Sequence, residues 1–67
     1  MTKKSTPLSS SALAEVSYDT DTMILTITFN NGRSYDYHDV PEEVYDELVS
    51  DPSPGRYLNE RIRGVYF

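Results

Sequence analysis

The chain has 67 residues, a formal net charge of -5 and no cysteine, which allows one small domain that buries only roughly 60% of its unfolded surface and excludes both a large catalytic cavity and a disulfide framework. Eleven acidic side chains against six basic ones oppose general attraction to phosphate backbones or anionic membranes. No apolar run approaches the ~20 residues of a membrane span, so the expectation is a protein of the reducing cytoplasm.

Residues 1–12 carry Lys3, Lys4 and the Ser9-Ser10-Ser11 run with little to bury, and they read as a flexible N-terminal tail ahead of one domain over 13–67. From Ala14 the pattern alternates, with Ala14, Val16 and Tyr18 on one face and Glu15, Ser17 and Asp19 on the other, as in a half-buried strand. Thr20-Asp21-Thr22 turns the chain into a second strand, Met23 to Phe29, where Met23, Leu25, Ile27 and Phe29 alternate with Thr26 and Thr28. Asn31-Gly32 suits a two-residue primed hairpin turn and leads to a third strand, Ser34 to His38, with Tyr35 and Tyr37 on one face.

Val40-Pro41-Glu42-Glu43 opens a helix: proline presets the first turn, and the acids complement its dipole. Val44 and Leu48 would face the sheet. Asp51-Pro52-Ser53-Pro54-Gly55 breaks that helix. Ser53 and Pro54 then start a second one, with Leu58 and Ile62 inward and Gly64 at its end. The expected fold is α+β: a three-stranded antiparallel β-meander packed by two short C-terminal helices. Its expected core is Val16, Leu25, Ile27, Phe29, Tyr37, Val44, Leu48, Leu58 and Ile62.

The Asn31-Gly32 hairpin, Tyr35-Asp36-Tyr37, Val40-Pro41, a helix with Tyr45 and Leu48, and Ser53-x-Gly55-x-Tyr57-x-Asn59-x-x-Ile62-Arg63 occur in that order. Over roughly Ala14 to Tyr66 this resembles the KTSC domain, a small domain found at the C-terminus of some lysyl-tRNA synthetases and as stand-alone bacterial and phage proteins. The resemblance implies no established activity, and the synthetase context implies an RNA-binding role. Leu58 stands where the family commonly has an aromatic residue, and Asp51-Pro52 replaces a stretch that is usually less acidic.

Little in the residues points to catalysis. His38 between Asp36 and Asp39 lacks the further ligands or nucleophile that a metal or acid–base site requires. No phosphate-binding loop or dinucleotide fingerprint is present, so neither an enzyme nor a cofactor or metal is expected. The charge distribution is more informative. Asp36, Asp39, Glu42, Glu43, Asp46, Glu47 and Asp51 fall together with no intervening lysine or arginine. Glu42/Asp46 and Glu43/Glu47 are like-charged pairs four apart, which disfavour a helix by roughly 0.2 to 0.5 kcal/mol each.

The leading expectation is therefore a non-catalytic interaction module. Asp36, Asp39, Glu42, Glu43, Asp46 and Glu47 would bind a protein with a basic surface, such as a nucleic-acid-handling enzyme that the module inhibits or modulates. The alternative is an RNA or tRNA accessory domain using Arg56, Tyr57, Arg61 and Arg63, with Arg56 and Arg63 seven apart on one helical face.

Overall fold

A computed structural model describes residues 3–8 and 12–66. The chain forms β1 (Lys3–Pro7), β2 (Leu13–Asp19), β3 (Ile24–Phe29), β4 (Ser34–Tyr37), α1 (Glu42–Ser50) and α2 (Pro54–Tyr57), which continues into a π-helical turn over Leu58–Ile62. The strands make one antiparallel sheet in the order β1-β2-β3-β4. The α+β class holds, but the sheet has four strands rather than three. The added strand comes from residues assigned above to a flexible tail, while the serine run, Ser9 to Ser11, lies outside the described residues.

Backbone pairing and polar anchors place β1. Its register sets Lys4 opposite Tyr18 and Thr6 opposite Val16, so Lys4 and Thr6 point to the helical side. There the Thr6 hydroxyl hydrogen-bonds the Tyr45 hydroxyl, and Lys4 reaches two carboxylates of α1. Leu8 continues the attachment: its N–H donates to the Ala14 carbonyl at 2.9 Å, and its side chain packs against the core.

In β2 the register slips between Leu13 and Glu15, with Leu13 opposite Phe29 and Glu15 opposite Thr28. This β-bulge at Ala14 lets Leu13 share the inner face with Val16 and Tyr18, and all three are buried. The β3–β4 connection also differs from a two-residue primed turn. Phe29 and Arg33 close a three-residue loop, with the Phe29 N–H on the Arg33 carbonyl at 2.8 Å and the Gly32 N–H on the Phe29 carbonyl at 3.0 Å. Gly32, at φ 89, is the only residue of that loop in the left-handed region, the position where a G1-type hairpin requires glycine.

Helix α1 starts at Glu42 after an extended Pro41, so the proline stands one position outside the helix. Its buried stripe is Tyr45 and Leu48, with Val44 and Val49 half-buried beside them. The core is Leu13, Val16, Tyr18, Leu25, Ile27, Val40, Tyr45, Leu48, Leu58 and Ile62. Six of the nine expected core residues are in it. Phe29, Tyr37 and Val44 instead pack partly buried around its margin.

Tyr18 ties the sheet to the segment entering α1: its ring lies 5.8 Å from that of Tyr45, and its hydroxyl donates to the Val40 carbonyl. Burial, followed by the nearby carboxylates of Glu42 and Asp19, raises its pKa above the ordinary phenol value of 10.0. The folded state thus keeps this proton to higher pH than the unfolded chain does. The resulting stabilisation is fully present below the unfolded value and is lost as pH climbs through the raised one. Tyr18→Phe should lower stability near neutral pH by about 1–3 kcal/mol, because the Val40 carbonyl loses its donor. It should also flatten the fall in stability above about pH 10. Urea unfolding at neutral and alkaline pH checks both, and an equally steep alkaline fall in the variant would place the sensitivity elsewhere.

Candidate functional site

The acids of α1 do not form one uninterrupted negative surface. Lys4 Nζ lies 2.8 Å from Glu42 Oε2 and 3.3 Å from Asp46 Oδ1, and 5.2 Å from the centre of the Tyr45 ring. The like-charged Glu42/Asp46 pair is thereby bridged by a cation from β1. The hydrogen bond to Glu42 is the main cause that raises the Lys4 pKa. Glu47 accepts a hydrogen bond of 3.0 Å from the Tyr57 hydroxyl. Burial first, and then this bond, push the Tyr57 phenol up.

Asp36 belongs to the other side of the sheet, where its carboxylate accepts from the Thr26 hydroxyl at 2.8 Å across the strand pair. Asp39 is exposed at φ 57, two residues before Pro41. Glu43 is exposed on the first turn of α1. Neither Asp39 nor Glu43 makes a side-chain hydrogen bond or ion pair among the described residues. Asp39 and the α1 carboxylates still form a strongly acidic stretch against Lys4, since the last turn of α1 carries no basic residue.

The arginines divide between two depressions. The first, about 500 Å³, is lined by Glu47, Asp51, Pro52, Ser53, Arg56, Tyr57, Glu60 and Arg61. Arg56 is engaged there with Glu60 at 3.1 Å, one turn away. The second, about 390 Å³, is lined by Phe29, Asn31, Arg33, Tyr35, Tyr37 and Arg63. Arg56 and Arg63 therefore do not share a face. Their seven-residue spacing assumes an α-helix, but the Arg63 N–H bonds the Leu58 carbonyl at 2.8 Å, five residues back. That π-type pairing changes the phase of the helix before Arg63.

The second depression exists because the helical layer ends short of the sheet edge. Across β3 and β4, Ile27 faces Tyr35 and Leu25 faces Tyr37. The two aliphatic residues are fully buried, whereas Tyr37 is half-buried and Tyr35 is 47% exposed. Phe29 meets Tyr35 edge-on with ring centres 5.5 Å apart. Arg63 donates from Nη1 to Asn59 Oδ1 at 3.2 Å, a neutral partner, and enters no ion pair among the described residues. Of this set only Arg63 was among the expected site residues. Arg33, directly after Asn31-Gly32 in the hairpin, was the available sequence clue for the others. His38 lies beyond the end of β4 and is exposed.

A four-stranded antiparallel sheet with helices on one face defines a small α+β domain, and no group of metal-binding side chains occurs among its described residues. No helix of the described residues is long and apolar enough to cross a membrane. The chain belongs to the KTSC domain family, whose model matches residues 9–66, leaving β1 ahead of the match.

The crystal structure of a KTSC domain protein from Yersinia pestis superposes with a TM-score of 0.90 at 32% identity, over 98% of this chain and 93% of that one. A protein of Tsukamurella paurometabola is 42% identical over 57 residues, covering 85% of each chain. A lysine–tRNA ligase of Nostoc punctiforme is 38% identical over 56 residues, which are 84% of this chain and 10% of the ligase. The family thus occurs both as chains of this size and as a small part of a much larger enzyme.

Proposed function

We propose that this protein is a non-catalytic interaction module of the cytoplasm that binds a protein with a basic surface through the acidic stretch from Asp39 to Glu47, and that it modulates a nucleic-acid-handling partner. The observation that carries this reading is the charge imbalance on α1: Glu42, Glu43, Asp46 and Glu47 are all exposed, and among the described residues one cation, Lys4 of β1, ion-pairs with them. Such a field steers a basic partner and raises its on-rate at low salt. The match to only 10% of a lysine–tRNA ligase supports an accessory role. The RNA reading centred on Arg56, Tyr57 and Arg61 is the weaker one, because Glu47, Asp51 and Glu60 line the same depression.

Asp46 and Glu47 are poor probes of this face, since one is paired with Lys4 and the other with Tyr57. Asp39→Asn combined with Glu43→Lys leaves those contacts intact, and asparagine tolerates the left-handed backbone at position 39. The double variant should fold normally. It should lose the salt-sensitive proteins that the immobilised wild-type chain retains from a nuclease-treated bacterial lysate. Identical retention by both chains would reduce the acidic stretch to an aid to solubility.

A further inference from the structure

We propose that the depression formed by Phe29, Tyr35, Tyr37, Arg33 and Arg63 binds an unpaired nucleobase and its flanking phosphates in a single-stranded nucleic acid. This goes beyond the acidic-face reading and stands on different residues. Among the described residues no carboxylate lines the depression, although the chain has eleven acids and a net charge of -5. Among the described residues neither Arg33 nor Arg63 enters an ion pair. Two guanidinium groups that enter no ion pair among the described residues thus stand beside three aromatic rings.

That combination matches the chemistry of a nucleotide in a strand: an aromatic ring offers a stacking platform to any base, and a guanidinium pairs with phosphate in bidentate geometry. Size narrows the ligand further. About 390 Å³ lies near the lower end of small-ligand sites and suits one flipped-out nucleotide rather than the side of a duplex. Tyr35, 47% exposed, offers ring surface without any rearrangement of the core. The position of Arg63 at the exit of the π-helical turn brings the second cation to the rim.

Titration of the isotope-labelled chain with a short oligouridylate at low salt, followed by two-dimensional NMR, tests the site. Ring signals of Phe29, Tyr35 and Tyr37 should shift together with those of Arg33 and Arg63, while α1 remains unaffected. Tyr35→Phe should bind as the wild type does, and Tyr35→Ala should bind roughly ten-fold more weakly, as expected for one lost stacking contact. Arg33→Gln and Arg63→Gln should each reduce the salt dependence of log affinity by about 0.7. Arg33→Gln alters an exposed loop residue, so it reports on binding independently of the fold.

The same sequence as DNA separates a requirement for ribose from general single-strand binding, and either outcome is compatible with the site. The proposal is overturned by an absence of shifts at low salt or by shifts confined to the Arg56/Glu60 depression. Equal affinity for a duplex, or for free uridine monophosphate, also overturns it. Tighter binding of an acidic, tyrosine-containing peptide at the same resonances would make this a peptide site instead. The Asp39→Asn, Glu43→Lys chain should retain oligouridylate binding, so the two functional readings fail separately.

Discussion

Removing the first eight residues, and β1 with them, should lower the thermal midpoint by roughly ten degrees or more, or abolish folding at room temperature. A 67-residue domain has roughly 3–10 kcal/mol of stability to lose, at about 0.05–0.15 kcal/mol per residue. β1 pairs with β2 over five positions from Lys3 to Pro7. The deletion also strips the Thr6–Tyr45 hydrogen bond, the Lys4 bridge and the packing of Leu8. The part-buried Tyr45 hydroxyl would lose its protein partner to water, and the net loss of one such hydrogen bond costs about 0.5–1.5 kcal/mol. Each kilocalorie lost moves the midpoint of a domain this small by about 4–8 °C. Calorimetry on the full and shortened chains decides the point: matching midpoints would mean that residues 3–8 are a tail after all.

Leu13→Ala should be nearly as damaging, at about 2–5 kcal/mol, while Glu15→Ala should change little. Leu13 is fully buried, and it reaches the core through the bulge at Ala14. If β2 instead alternated strictly from Ala14 to Asp19 and beyond, Leu13 would lie on the solvent face beside Glu15, and its truncation would be mild. Urea denaturation of the two variants distinguishes the registers. A small loss for Leu13→Ala would remove the bulge from the fold.

Where the sequence was legible, side-chain periodicity carried the information. The alternation of Leu25, Ile27 and Phe29 marks β3, and Pro54 marks the start of α2. β1 escapes such a reading because its inward residues are Lys4 and Thr6, whose partners are polar groups on α1 some forty positions away. The bulge hides Leu13 for a related reason: an extra residue in one strand shifts the phase of the alternation. The stripe on α1 was placed on Val44 and Leu48, but the helix turns Tyr45 inward so that its ring meets Tyr18 and its hydroxyl meets Thr6.

The candidate sites were legible in the same uneven way. The acidic stretch is evident from composition, but its bridge to Lys4 is not, because that depends on β1. The grouping of Arg56 with Arg63 presumed regular α-helical phase, which the π-helical turn over Leu58–Ile62 removes. The aromatic depression needs both that phase change and the uncovered inner side of β4. Period two correctly put Tyr35 and Tyr37 on one face, yet it could not show where the helical cover stops.

The two outer strands bear on how the domain behaves in crowded solution. An open sheet presents unpaired backbone groups at both margins, and such margins can template fibril growth by recruiting strands from other molecules. Here β1 carries two adjacent lysines and ends at Pro7, which has no N–H to offer a newcomer. At the other margin β4 is four residues long and holds Asp36, a short and charged target for an incoming strand. Protection against polymerisation is thus built into both ends of the sheet without closing it into a barrel. Both margins are thereby poor templates for strands of other molecules at high local concentration.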